Sequence, residues 1–299
     1  MKKILVIGSA NADLLINTER MPKLGETVTG WGFTTNAGGK GLNQAVAVAK
    51  LGGDVGFLGA LGQDANGDML LDVLNKNNII YKGIRVDGVP TGSALVTLVN
   101  GDNFIILNEG TNGMVTPELI EEKTDIIAEA DYIVLQLEIP VESVVRIAEI
   151  AHEFGKSVIH NPAPYKELPE KLYSLIDILI PNEHEAEQVT GISVDSDESV
   201  EKAIKSLNQK GVKTALITLG GRGCAYNDGD KIVFTPSIKT NVVDTTSAGD
   251  SFIGGLCCRL ASGDSLAEAV KYATKVASIT VSRSGAAASI PFKCEVEEN

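Results

Sequence analysis

Short apolar runs and amphipathic stretches take turns along most of this chain, and nothing else in the sequence constrains its fold so strongly. Strand-like runs fall at Lys3–Gly8, Val55–Leu61, Tyr132–Leu137, Ser157–Ile159, Ile178–Ile180 and Ala215–Leu219. Apolar residues recur with helical period at Gly41–Leu51, Gly67–Asn77, Pro117–Ala130, Val141–Phe154 and Val200–Gln209. Several strands, Ile4-Leu5-Val6-Ile7 among them, are apolar on both faces, as strands covered on both sides must be. The alternation predicts an α/β protein with a mostly parallel central sheet sandwiched by helices. Two stretches, about 14–35 and 91–112, break the rhythm: they are Thr/Val/Ile-rich, punctuated by glycine, and read as extra strands outside the main unit. In the second, Ala94–Val99 and Phe104–Leu107 flank Asn100-Gly101-Asp102-Asn103, a hairpin signal. At 299 residues, one large domain spanning 1–299 accommodates all of this.

Charge and cysteine use exclude several classes of function. Lys and Arg number 26 against 39 Asp and Glu, a net charge of −13, so the basic stripe of a nucleic-acid binder is missing. Lys2-Lys3 before Ile4–Ile7 mimics a signal peptide, but Asn11 and Asp13 cut the apolar run short and a buried first strand is the expectation. No apolar run approaches the ~20 residues that cross a bilayer, so no membrane partner is expected. Cys224, Cys257, Cys258 and Cys294 form no C-x-x-C pair and lie at no metal-ligand spacing from a histidine, which fits a reduced, cytoplasmic protein without zinc. If the ligand is a small phosphate, the overall charge repels it. Local backbone geometry must then do the attracting.

Two familiar phosphate motifs fail. Gly8-Ser9-Ala10-Asn11-Ala12-Asp13 lacks the G-x-G-x-x-G spacing of a dinucleotide site. Gly38-Gly39-Lys40-Gly41 has Thr34 where a P-loop begins with glycine, and Gly41 where Ser or Thr should follow the lysine. Asp244-Thr245-Thr246-Ser247-Ala248-Gly249-Asp250 is more informative, because it precedes a helical run, Ser251–Leu260. Small residues at 247–249 let backbone N–H groups converge at a helix N-terminus, an anion site that needs no net positive charge. Asp250 beside them is placed to accept a proton from an attacking hydroxyl, although an Asp there equally complements the helix dipole. Asn182 and Glu185, three apart at another helix start, suit water-held Mg²⁺ but taken alone read as a capping box. Thr218-Leu219-Gly220-Gly221-Arg222-Gly223 suits either close approach of a nucleotide or a tight hairpin.

The chain resembles the ribokinase family of carbohydrate kinases across almost its whole length. The resemblance rests on Gly8–Asp13, Gly25-Glu26-Thr27-Val28, Gly38–Ala45, Leu135–Glu138, Asn161-Pro162-Ala163, Pro181–Glu187, Ile217–Gly220, Val243–Asp250 and Gly285 with Ser289-Ile290-Pro291. The two signatures, around residues 39 and 250, are diagnostic together. The resemblance implies an ATP-dependent phosphorylation of D-ribose at O5. Asp250 matches the base, and Ser247, Ala248 and Gly249 the anion hole. Asn11, Asp13, Gly39, Lys40, Gly41, Asn43 and Glu138 match the sugar site, whose carboxylates and amides suit vicinal hydroxyls. On the nucleotide side it implies Asn182, Thr218, Gly220, Gly221, Gly223 and Gly249 as ATP contacts, with Glu185 acting on Mg²⁺ through water. Thr274 stands where the family often has a histidine beside the adenine.

The same resemblance implies K⁺ beside the anion hole, held around Asp244, Thr246, Thr280, Arg283, Gly285 and Ser289. That is an all-oxygen shell suited to a hard, large cation. The extra strands match a lid that covers the sugar and pairs two subunits, so a homodimer is expected, with Trp31 and Phe33 serving subunit packing. The alternatives are a family member acting on another sugar such as deoxyribose, or on a nucleoside. The polar set around Lys40 favours a small free sugar. A catalytically silent sugar-binding regulator is the alternative outside enzymes, and the intact Asp250 behind Ser-Ala-Gly stands against it.

Overall fold

The computed structural model describes residues 1–99 and 102–298, with the side chains of Asp102 and Asn103 excepted. In chain order its strands are β1 (Ile4–Ile7), β2 (Asn11–Asn17), β3 (Trp31–Gly38), β4 (Val55–Leu58), β5 (Ala60–Gly62), β6 (Ile80–Tyr81), β7 (Ile84–Val86), β8 (Ser93–Val99), β9 (Asp102–Asn108), β10 (Tyr132–Leu135), β11 (Ser157–His160), β12 (Ile178–Leu179), β13 (Thr214–Thr218), β14 (Cys224–Asp228) and β15 (Lys231–Thr235). Nine of them form the main sheet in the order β15-β14-β13-β12-β11-β10-β1-β4-β6, parallel from β13 to β6 and antiparallel at the β14 and β15 edge. The expected mixed, mostly parallel sheet flanked by helices is what the chain adopts.

Alternation within β1 explains the two-sided cover. Leu5 and Ile7 sit in one core cluster with helix Val141–Glu153, while Ile4 and Val6 sit in the other with helices Lys40–Lys50 and Ala248–Ser262. Each such side chain contributes about 1.5–3 kcal/mol by leaving water. The chain runs from β1 outward to β4 and β6, then returns to β10 and proceeds the other way. That reversal opens a crevice at the carboxyl ends of β1 and β10, where open α/β sheets bind their ligands.

The second sheet, β3-β2-β8-β9, stands apart from the first and uses both stretches that lacked helical period. Its strands start earlier and end later than expected, at Asn11 and Gly38, and residues 18–30 carry no strand. The antiparallel β8–β9 pairing runs from Ser93↔Asn108 to Val99↔Asp102. Asn100 and Gly101 of the expected turn lie outside the described residues. Two other expectations need correction. Val55–Leu61 is not one strand: it breaks at Gly59, where a Cβ would come within 2.7 Å of the Gly8 carbonyl, and continues as β5 in a small separate sheet with β7. Pro117–Ala130 is two helices, Pro117–Glu122 and Thr124–Glu129, because Lys123 leaves helical geometry (φ −106°, ψ 12°).

Candidate active site

The first diglycine segment is shaped by close backbone approach. Gly39 caps helix Lys40–Lys50 at φ +89°, and a Cβ there would stand 2.8 Å from Ala10 Cα and Asn11 N. Gly41 is as tightly placed, 2.8 Å from the Ser9 backbone. No side chain caps this helix locally, so a distant carboxylate does: Glu138 Oε2, just beyond β10, accepts from Lys40 N at 3.0 Å and from Ser9 Oγ at 2.5 Å. The second sheet joins the main body here. Asn11 and Asp13 open β2 opposite Gly38 and Asn36 of β3, and Asn11 Oδ1 accepts from Asn112 Nδ2 at 2.7 Å.

Asp250 arrives from the other side, in the first turn of helix Ala248–Ser262. That helix packs directly on helix Lys40–Lys50, and Gly254 makes this possible, since a Cβ there would overlap Ala47. Asp250 is buried, and both its oxygens are held from the facing helix. Oδ2 accepts from Asn43 Nδ2 at 3.1 Å and Oδ1 from Gln44 Nε2 at 3.0 Å. Burial drives its carboxyl above the ordinary range, against the pull of Lys40, Gln44 and Asn43. Burial likewise works against the Lys40 ammonium, but the carboxylates of Asp250, Glu138 and Glu185 outweigh it and hold its pKa above the ordinary value. Asp13 is pushed up to about 7, first by burial and then by Glu138 and Asp250. Asn43 Oδ1 is buried with no protein partner, an acceptor left over beside the carboxylate.

A cleft of about 190 Å³ opens on the far side of Asp250, lined by Lys40, Asn161, Asn182, Glu185, Thr218 and the run Thr245–Asp250, Thr246 excepted. Asn182 and Glu185 do form the capping box, with Asn182 N donating to Glu185 Oε2 at 2.9 Å and Glu185 N to Asn182 Oδ1 at 2.8 Å, yet both still face the cleft. Glu185 is raised by burial more than the Asn182 amide and Lys40 lower it. Ser247 adopts φ +59°, a left-handed conformation uncommon outside glycine, which turns the chain into the helix. Of the three amides expected to bind an anion, that of Ala248 donates to Thr245 O at 3.2 Å, while Gly249 has open space around it. Thr218 lines the cleft; Gly220, Gly221 and Gly223 lie beyond it in the turn joining the antiparallel β13 and β14, so that motif also makes a hairpin. Thr274 is buried with Oγ1 on Val270 O at 2.9 Å and does not line the cleft.

The six residues expected around a monovalent cation come from the loop before helix Ala248–Ser262, the last residue of helix Leu266–Thr280 and the loop after it, and Asp244 ties the two loops together. Asp244 Oδ1 accepts from Thr246 N at 2.9 Å and Oδ2 from Gly285 N at 3.0 Å. Burial alone would raise this carboxyl, but the Thr246 side chain first, and then the Gly285 and Thr246 amides, bring it below the ordinary range. Thr280 and Ser289 are buried nearby in sequence, with hydroxyls on Val276 O and Ala286 O, and the Arg283 guanidinium turns away to Glu295. A carboxylate, hydroxyls and loop carbonyls fit a hard cation. Among the described residues no group of three or more His, Cys, Asp or Glu could hold a metal alone, so a divalent ion here would need oxygens from a ligand as well.

Sequence reasoning missed Gln44, Gln136, Asn161 and Asn112 as members of the site. Gln136 had a visible signal, an amide inside an otherwise apolar strand-like run. The others required the fold.

A family model described as pfkB family carbohydrate kinase matches residues 1–293. The chain is 38% identical over 300 residues to a ribokinase of Staphylococcus aureus, covering 99% of each. It is 35% identical over 296 residues to a deoxyribokinase of Salmonella typhi, covering 96% of this chain and 95% of that one. Among solved structures, that of Arabidopsis thaliana ribokinase complexed with ribose and ATP superposes with a TM-score of 0.94 at 35% identity, covering 99% of this chain and 98% of the other. Fold, site and sequence agree: the chain belongs to the pfkB family of carbohydrate kinases.

Proposed function

We propose that this kinase transfers the γ-phosphoryl group of ATP to O5 of D-ribose, giving D-ribose 5-phosphate. One observation carries the reading: buried Asp250 stands where the polar cluster at the lid root meets the cleft at the sheet's carboxyl edge. Asn11, Asp13, Gly39, Lys40, Gly41, Asn43 and Glu138 would bind the sugar hydroxyls, with Asn43 Oδ1 as a ready acceptor. As the sugar oxygen attacks the γ-phosphorus, its proton passes to Asp250 and the bond to the bridging oxygen of ADP breaks. Lys40 and the helix end at Ser247, Ala248 and Gly249 would offset charge on the transferring group. Asn182, Thr218, Gly220, Gly221 and Gly223 would contact the nucleotide.

Asn182 and Glu185 would hold Mg²⁺ through waters, and Asp244, Thr246, Thr280, Arg283, Gly285 and Ser289 would surround K⁺. When bound, the first ion neutralises phosphate charge and the second keeps the anion-hole loop ordered. The whole chain would act as one α/β unit, in the cytoplasm, with the β3-β2-β8-β9 sheet as lid. Trp31 and Phe33 on β3, and Phe104 and Ile106 on β9, are exposed and would pack against a second copy.

Asp250→Asn should lower turnover by roughly a thousandfold or more while ribose affinity, by calorimetry, stays within about threefold. Near-normal ADP release from that variant would sink the assignment. Replacing K⁺ by tetramethylammonium should lower both turnover and the melting temperature; indifference of both removes the cation site. The 35% identity to a deoxyribokinase favours 2-deoxyribose as the second reading, and rates on the two sugars side by side decide between them.

A further inference from the structure

Asp250 does not end the polar chain behind the cleft. Gln44, fully buried one residue after Asn43, donates from Nε2 to Asp250 Oδ1 at 3.0 Å and faces Asn161 Oδ1 at 3.4 Å with the same nitrogen. Its Oε1 accepts from Gln136 Nε2 at 2.5 Å. Asn161 Nδ2 in turn donates to the Ile180 carbonyl at 2.9 Å. A backbone carbonyl can only accept, so it fixes which way the Asn161 amide lies. Asn161 then offers its oxygen to Gln44, which must present its NH₂ to both Asn161 and Asp250, and its oxygen to Gln136. Gln136 fits only because residue 8 is glycine: a Cβ at Gly8 would overlap Gln136 Oε1.

We propose that Gln44 is a positioning residue, and that the Gln136–Gln44–Asn161 amides form a one-way donor relay keeping Asp250 ionised and aligned. The inference rests on Asp250 being the base of the proposed reaction. A flipped Gln44 amide would set oxygen against oxygen and favour protonated, unreactive Asp250; the relay forbids the flip. The neighbouring charges do not dictate this orientation. Lys40 on the same helix favours the carboxylate, while Glu138 beyond β10, Asp13 on β2 and Glu185 across the cleft disfavour it. Burial disfavours the carboxylate most, and the two amide donors, Gln44 and Asn43, oppose it together with Lys40.

Gln44→Met and Gln136→Leu test the relay from its two ends, the second without touching Asp250. Gln44→Met removes an N–H donor from the carboxylate, and Gln136→Leu removes the donor that holds the Gln44 oxygen and so loosens that same donor. In both variants the Asp250 pKa rises and the acid limb of kcat/KM should move to higher pH. Turnover at neutral pH should fall about tenfold, the size of one hydrogen bond to a charged group, with sugar KM little changed. The double variant should be no worse than Gln44→Met alone. The Asp250 carboxyl carbon, followed by NMR in each variant, gives a readout independent of activity. Upward titration shifts in both variants support the relay. An unmoved Asp250 titration in both overturns it, whether or not the wild type phosphorylates ribose, and wild-type inactivity on every sugar counts against the kinase assignment alone. Should Gln44→Met fail to fold, Gln136→Leu decides by the same two measurements.

Discussion

Asp13 shows how a single carboxylate couples this site to stability. Half-buried at the root of the second sheet beside Glu138 and Asp250, it is pushed up to about 7 in the folded chain, against an ordinary value of 3.8, first by desolvation and then by those two carboxylates. A raised carboxyl favours the folded state when protonated. Its contribution is therefore whole below about pH 4 and is lost as pH rises through 7. Asp13→Asn keeps the shape and removes the titration. The unliganded variant should lose less melting temperature from pH 5 to pH 8 than the wild type, since the raised Asp250 and Glu185 carboxyls remain in both. By pH 8 the variant should be more stable by on the order of 2–4 kcal/mol. Parallel curves for the two proteins would show that Asp13 does not titrate in this range. Among Asp13, Lys40 and Asp250, only Asp250 stood out from the residues alone, behind three small residues at a helix start, where it could equally complement the helix dipole. Asp13 and Lys40 came from the family resemblance, since singly they read as a loop residue and a surface lysine. The sequence did not point to Gln44, whose partner Gln136 is 92 residues away, and an amide on a buried helix face leaves no periodic trace.

Elements were legible where one physical constraint dominates. The core-facing helices at 40–50, 141–153 and 197–209 follow apolar period, and Ser196 caps the last, which begins at Asp197, three residues ahead of the expected Val200. The breaks at Gly59 and Lys123 were not legible, because each answers to a neighbour distant in sequence or to one residue's dihedral angles. The second sheet, the proposed lid, was legible only as an absence of helical period, and its surface bears on the proposed pairing. On β9, Phe104, Ile105, Ile106 and Leu107 are all exposed, so apolar side chains project from both faces of this edge strand. Isolated edge strands of this kind invite pairing or burial. If the lid pairs two copies, Ile106→Glu places a charge in the buried contact and should shift the solution mass from dimer to monomer at about micromolar concentration, read by light scattering. Melting of the α/β body should hardly change. A variant that stays dimeric places the interface elsewhere, and a monomeric wild type removes it.

At the scale of the whole molecule, the net charge of −13 and the anionic donor nucleotide pull in opposite directions. The positive elements at the cleft are few: Lys40, the amides around Ser247 and Gly249, and the dipole of a 15-residue helix. Helix-end fields fade within a turn, whereas the summed surface charge reaches out to the Debye length, about 30 Å at 0.01 M salt and about 8 Å at 0.15 M. An approaching ATP therefore meets repulsion first and attraction only on arrival. Added salt should remove the first without much weakening the second, since the cleft charges are partly buried. With K⁺ held constant and tetramethylammonium chloride added, kcat/KM for MgATP should rise about two- to fivefold between roughly 0.02 and 0.2 M ionic strength, with kcat unchanged. Uncharged ribose should show no such trend in its own kcat/KM. A decrease with salt would mean that Lys40 and the helix end project their field beyond the cleft, so that the acidic surface merely surrounds an attractive funnel.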